Sequence, residues 1–374
     1  MLSRTTLIFL LITTTIAIAA AKPDKKLVTD WKIEPSLKYD SLCLLNTLTG
    51  DPYYLDYYKK TYKDFSPRLT PAATTALAHL KKVIKDDGGG IISANLCLLF
   101  SACDAETLDD ILVTIDRPEK LRENFAKTPY WDDDSWKRFE SIRDDLRTIF
   151  RWYKEINFEK TWQEKARPNA ESKAKKMFAE VSKYDVVPLV EQHLGHPLES
   201  HTITVYMLTY SQPHGIKIVG TRFLTDVAWP FVIVVRNSVH EMMHPPYKLD
   251  GDAELAAVFD TLRKDPYFSD KVEHHNKSFG YNTLEGFAEE DCVQSLDQLI
   301  NEKLGVADAA KHRWTVSDDG MHVLAVALYQ LMKQEKYPGG SPDKSFRDFL
   351  VRMNKEGKFA PGKIKALHEA MYGK

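Results

Sequence analysis

A predominantly helical α+β fold with a small antiparallel sheet is what the sequence predicts for this chain of 374 residues. Three observations predict it. Apolar residues recur every three or four positions over long stretches, one alternating β-branched stretch lies just past residue 200, and a Val-rich segment bracketed by prolines follows directly.

Composition permits such a core and excludes some partners. Hydrophobic residues make up 43% of the chain and charged residues 28%, a balance too apolar for disorder. Lys and Arg number 51 against 53 Asp and Glu, for a net charge of −2, so no long-range field selects nucleic acid or an anionic membrane.

Residues 1–21 read as a secretory signal: Arg4, the apolar run Leu7–Ile12, then small residues through Ala19 and Ala21, after either of which cleavage fits. Thr13, Thr14 and Thr15 interrupt a run already too short to anchor in a bilayer. The expectation is a secreted or periplasmic protein with no stable membrane insertion once the signal is removed. Four cysteines follow, Cys43, Cys97, Cys103 and Cys292, with no CxxC spacing. A local Cys97–Cys103 bridge, buried thiols and two bridges all stay open.

Residues 22–195 form a mostly helical N-terminal region. Its clearest helix carries the stripe Phe139, Ile142, Leu146, Ile149, Phe150 and Tyr153, entered through the acidic run Asp132–Asp134, which reads as a cap. The loop Asp86-Asp87-Gly88-Gly89-Gly90 lacks the GK[ST] of a phosphate cradle. Past a boundary at residues 190–200, His201–Tyr210 and Ile216–Thr225 both alternate around Ser211-Gln-Pro-His-Gly215, predicting a hairpin with a five-residue turn.

Directly after it, Pro230 and Pro245-Pro246 bracket one helix whose last turn carries His240, Glu241 and His244. Residues four apart stand one above the other, so both imidazoles can meet one tetrahedral ion, while Glu241 stays close to a water on it. This is the HExxH arrangement of zinc peptidases, and it predicts one Zn2+ per chain.

The third ligand must come from elsewhere, because His244 is followed by Pro-Pro-Tyr-Lys-Leu-Asp-Gly and not by the xxGxxH of metzincins. Leu284-Glu-Gly-Phe-Ala-Glu289 opens a strong helical pattern, with Glu285 and Glu289 one turn apart. That element resembles the EGxAE element of the gluzincins, the clan of thermolysin and the aminopeptidase-N type enzymes. The resemblance implies a zincin-like catalytic domain over residues 196–374, Glu285 as third zinc ligand, and Glu289 as the acid that holds a ligand histidine. It covers residues 200–335, with departures: the gap from His244 to Glu285 is about twice that of either named family, Leu284 stands where Asn is usual, and the GxMEN motif of aminopeptidases is absent. Asp252, Glu254, His274, His275 and Glu289 compete for the third position.

Ser317-Asp-Asp-Gly-Met-His322 loosely resembles the clan's DxGGVH element, which implies that His322 donates a hydrogen bond to the tetrahedral intermediate; Tyr281 and Tyr329 are weaker candidates. The resulting expectation is a secreted zinc peptidase acting on a peptide or protein, with Glu241 as general base and the hairpin as a substrate-binding edge contacted through Tyr206 and Pro213-His214. The alternative is a catalytically inactive zinc-binding or substrate-binding protein on the same scaffold. No oligomeric state is assigned.

Overall fold

The computed structural model describes residues 27–279 and 281–373, so the secretory signal expected at residues 1–21 lies outside the described residues. The fold is α+β and predominantly helical. Among the described residues one sheet forms, with four strands in the order β1-β2-β4-β3: β1 (Asp30–Glu34), β2 (Thr202–Leu208), β3 (Ile216–Ile218) and β4 (Arg222–Asp226).

The sheet is mixed, not antiparallel as expected. β1 runs parallel to β2 with Trp31 opposite Ile203, and β2 runs parallel to β4 with Val205 opposite Phe223. Only β3 is antiparallel, pairing Lys217 with Phe223. The alternating run at 216–225 is therefore two strands. It breaks at Gly220, whose φ of +77° suits glycine, and the strand after the break inserts between β2 and β3. Alternation marks a residue as belonging to a strand but carries no information on which neighbour it pairs with.

Side chains alternate across the sheet into two apolar clusters. Ile203, Val205, Met207 and Phe223 enter one, while Leu208, Ile216, Ile218 and Leu224 enter the other. The second cluster is filled by helices from residues 37–166, among them α1 (Leu37–Leu48), α2 (Ile92–Phe100) and α3 (Asp133–Glu155). In α3 the stripe from Phe139 to Tyr153 is buried, and Asp132 caps the helix by accepting from the amides of Asp134 and Ser135. The first cluster collects β1, α4 (Arg167–Val181), α5 (Val187–Leu194) and the elements after β4: α6 (Phe231–Met242), α7 (Leu284–Leu304) and α8 (Val323–Gln334). The N-terminal region thus contributes a strand and two helices to the motif-bearing side of the sheet, and its remaining helices cover the opposite face.

All four cysteines are thiols. Cys43 and Cys97 meet across α1 and α2 at 3.9 Å, and Cys103 donates to the Phe100 carbonyl. Among the described residues no helix is long and apolar enough to cross a membrane.

Candidate metal centre

Pro230 opens α6, whose buried residues Val234, Val235, Val239 and Met242 fasten it against the sheet and α7. Burial of several such side chains, each worth about 1.5–3 kcal/mol, sets the rotation of the helix and so the direction in which its polar residues point. His240 and Glu241 lie in its last turn, His244 just beyond its end, and all three line a cleft of about 650 Å³. The phenol of Tyr130, from the N-terminal region, donates to the His244 carbonyl at 3.2 Å and ties the end of the helix to the opposite wall.

The Nε2 atoms of His240 and His244 face each other at 3.3 Å. The third group beside them is Glu290: one carboxylate oxygen lies 3.6 Å from His240 Nε2 and the other 3.6 Å from His244 Nε2. A tetrahedral ion with metal–ligand bonds of about 2.0–2.1 Å holds its donor atoms roughly 3.3–3.4 Å apart, so the spacing suits one small cation. Glu290 is 3% exposed, and its Oε2 is a buried oxygen that accepts no hydrogen bond among the described residues. Leaving such an atom unpaired is costly, and a cation at this point would satisfy it.

The far side of each imidazole is held as well. His240 Nδ1 donates to Asp297 at 2.8 Å, and His244 Nδ1 donates to Glu289 at 3.1 Å. Both bonds fix the tautomer that leaves the Nε2 lone pair free for a metal. Asp297 is in turn gripped by Arg313; burial alone would raise this carboxyl, but the Arg313 and His240 charges hold it below the usual range. Burial likewise pushes His240 down, yet Glu290, Asp297 and Glu241 outweigh it and lift the imidazole to about 9. The site is a concentration of negative potential that favours a cation.

Glu285, expected as the third ligand, does not reach the histidines. It sits half-buried in the first turn of α7, where it pairs with Arg263 at 2.6 Å. Five residues along an α-helix rotate the side chain by about 140°, which turns Glu290 inward when Glu285 faces out. Glu289 stands beside His244, at the place where the resemblance expects an acid. The remaining competitors are engaged elsewhere: Asp252 caps a helix and binds Arg347, Glu254 pairs with Arg347 and Lys355, and His274 pairs with Asp270. His275 packs on the Phe287 ring, its Nδ1 facing the Val272 carbonyl.

His322 does not line the cleft. Its ring is buried, with Nδ1 2.6 Å from Asp291 and Nε2 2.8 Å from Asp318. The cause is local: His322 precedes α8, and the Asp291 carboxylate that holds it also accepts from the amides of Leu324 and Ala325 at the start of α8. Both ring nitrogens are committed, and burial, which would lower its pKa, is overcome by Asp291 and Asp318, which raise it to about 10. Asp318 itself reaches the cleft wall from a left-handed backbone with φ of +44°.

No family model matches the chain, and neither a curated protein nor a solved structure is detectably similar to it.

One further group faces Glu290. Tyr281, with φ of +58°, brings its phenol beside Glu290, and burial together with Glu290 keeps that phenol well above its ordinary pKa. A non-glycine residue in the left-handed region costs on the order of 1–3 kcal/mol, a strain that the surrounding structure must hold. Tyr329, the other candidate, bonds Glu302 instead. Gly215 enters β3 so close to α6 that a Cβ there would lie 3.2 Å from Glu241 Oε1 and 2.9 Å from Asn237 Nδ2. Pro213, His214 and Lys217 also line the cleft, whereas Tyr206 packs on Tyr39 away from it.

Sequence reasoning missed Glu290, Asp297 and Asp318. A signal for the first two exists: Glu290, Gln294, Asp297 and Asn301 are spaced four, three and four apart, a polar stripe on a helix that also carries a full apolar stripe, and all four are buried.

Proposed function

We propose that this chain is a zinc-dependent hydrolase of gluzincin type, acting on peptide bonds, with His240, His244 and Glu290 as the metal ligands. The observation that carries the reading is the convergence of two half-buried histidines, each oriented from behind by a carboxylate, with the buried carboxylate of Glu290, next to an HExxH glutamate that lines the same cleft.

A zinc ion bound there would supply Lewis acidity, lowering the pKa of water to about 7 and polarising a carbonyl. The chain's own residues do the rest. Glu241 accepts the proton of the attacking water and passes it to the leaving nitrogen. The Tyr281 phenol, close to Glu290, is the donor available to the oxygen on which negative charge develops. β3 ends the sheet at the cleft, and an extended chain laid along it would bond through its own amides. The same reading has the protein exported, on the strength of the signal-like residues 1–21.

Elemental analysis of the purified chain tests the metal: about one zinc per chain is expected, and less than about half an equivalent overturns the reading. Cleavage of casein tests the chemistry. Glu241→Gln should retain zinc and lose at least about a hundredfold in rate, and equal rates would remove Glu241 from the role of base. Zinc binding without turnover in the wild type would favour a binding protein on this scaffold.

A further inference from the structure

The acidic groups of the cleft stand on one side. Glu241, Glu289, Glu290 and Asp318 lie on the metal-site wall. The facing wall comes from the N-terminal region; it mixes apolar side chains with the neutral polar ones of Tyr53, Asn95, Tyr130 and Ser135, and its one charged group is Arg138.

Arg138 stands on the face of α3 that also presents Ser135, Phe139 and Ile142 to the cleft, at the three, four and seven spacing of one helical face. Its surroundings differ from those of the other partly buried arginines. Arg143, Arg147, Arg236, Arg313, Arg347 and Arg352 are each bound to a carboxylate and Arg222 to two backbone carbonyls, whereas the Arg138 side chain donates to no acceptor among the described residues. The nearby carboxylate of Asp132 is spent on the amides of Asp134 and Ser135 and on the Ser135 hydroxyl. The guanidinium lies against the glycine loop: a Cβ on Gly88 would come within 3.4 Å of its Cζ. An arginine presents a rigid fork of donors matched to a carboxylate, and such pairs are the strong hydrogen bonds of binding sites.

We infer that Arg138 is a carboxylate-binding subsite of this cleft, so that the preferred occupant is a peptide with an apolar residue and a free carboxylate, held with the carboxylate away from the metal site. The inference rests on the peptidase reading for the peptide, but the charge pattern stands apart from turnover. Lys217, the cation on the metal-site side, faces the charge of Glu241 among four acids there, whereas Arg138 on the opposite wall has no acid beside it in the cleft lining and stands next to Phe139 and Ile142. Both a C-terminal carboxylate and an Asp or Glu side chain carry the required chemistry.

Binding without turnover tests this. The probes are N-acetylated Leu/Phe tetrapeptides as free acid, as amide, and as amide with one internal Glu, titrated calorimetrically into the zinc-loaded full chain carrying Glu241→Gln. At least one carboxylate probe should bind about tenfold or more tighter than the neutral amide. Adding Arg138→Met should bring that ratio to about one while leaving the amide within about twofold, and Arg138→Lys should give an intermediate ratio. Which probe responds identifies a terminal or a side-chain carboxylate. A ratio near one before Arg138 is changed, or a ratio that survives Arg138→Met, overturns the inference. A ratio that follows Arg138 in a protein that cleaves no peptide upholds the subsite and defeats the peptidase reading.

Discussion

Glu290 and His244 meet at 3.6 Å between Oε2 and Nε2, and that oxygen has no other partner among the described residues. Glu285, five positions earlier on the same helix, is bound to Arg263 instead. Substituting each glutamate by glutamine therefore separates the two assignments. Glu290→Gln should weaken zinc by more than the roughly 10–100-fold that loss of an outer acceptor costs, while Glu285→Gln should match wild type in a chelator competition titration. Retention by Glu290→Gln with loss in Glu285→Gln would restore the assignment drawn from the EGxAE resemblance.

Glu289 and Asp297 orient the two histidines, but they are embedded differently. Glu289 is partly exposed and is tied to His244, so Glu289→Gln should lower zinc affinity by about tenfold without altering thermal stability. Asp297 is buried between His240 and Arg313. Asp297→Asn leaves the Arg313 charge unpaired and should cost about 3–5 kcal/mol of stability as well as metal affinity. Urea unfolding of both variants beside the zinc titration checks the contrast, and a stable Asp297→Asn protein would contradict it.

His322 offers a third separation, between holding the fold and touching the substrate. Its removal in His322→Ala leaves Asp291 buried with only the α8 amides, an uncompensated charge worth about 3–5 kcal/mol. The folded fraction, assayed in the cold, should keep kcat within about tenfold. A direct donor to the intermediate would instead cost about 10²–10³ in kcat with the fold intact.

What was legible follows from what each pattern encodes. The HExxH helix could be read because its ligand spacing is local and prolines bound it on both sides. The third ligand depends on how α7 is rotated against α6, which neither apolar periodicity nor the EGxAE resemblance encodes: the polar stripe of Glu290, Gln294, Asp297 and Asn301 is buried alongside Leu296 and Leu299. Strands 202–208 and 216–226 were visible as alternation, but their parallel pairing and the break at Gly220 depend on neighbours distant in sequence. Nor did any motif mark residues 27–195 as a wall of the cleft, since Arg138, Tyr130 and Phe139 meet the site only through the packing of α3 and the segment before it.

His193 carries a prediction about acid stability. It is buried at the end of α5 with Nδ1 2.6 Å from the Leu189 carbonyl and Nε2 3.2 Å from the Lys303 ammonium, which donates to it. Burial and the Lys303 charge lower its pKa to about 4, whereas an unfolded histidine titrates near about 6.5. The unfolded chain therefore binds the extra proton first as pH falls. The contribution of neutral His193 is fully present above about pH 6.5 and is lost as pH drops toward about 4, a total of about 3 kcal/mol. Urea unfolding from pH 7.5 to 4 should show wild type losing stability more steeply than His193→Gln, which has no proton to take up, with the two slopes equal above pH 7. Parallel curves across the acid range would mean that His193 is charged in the folded protein.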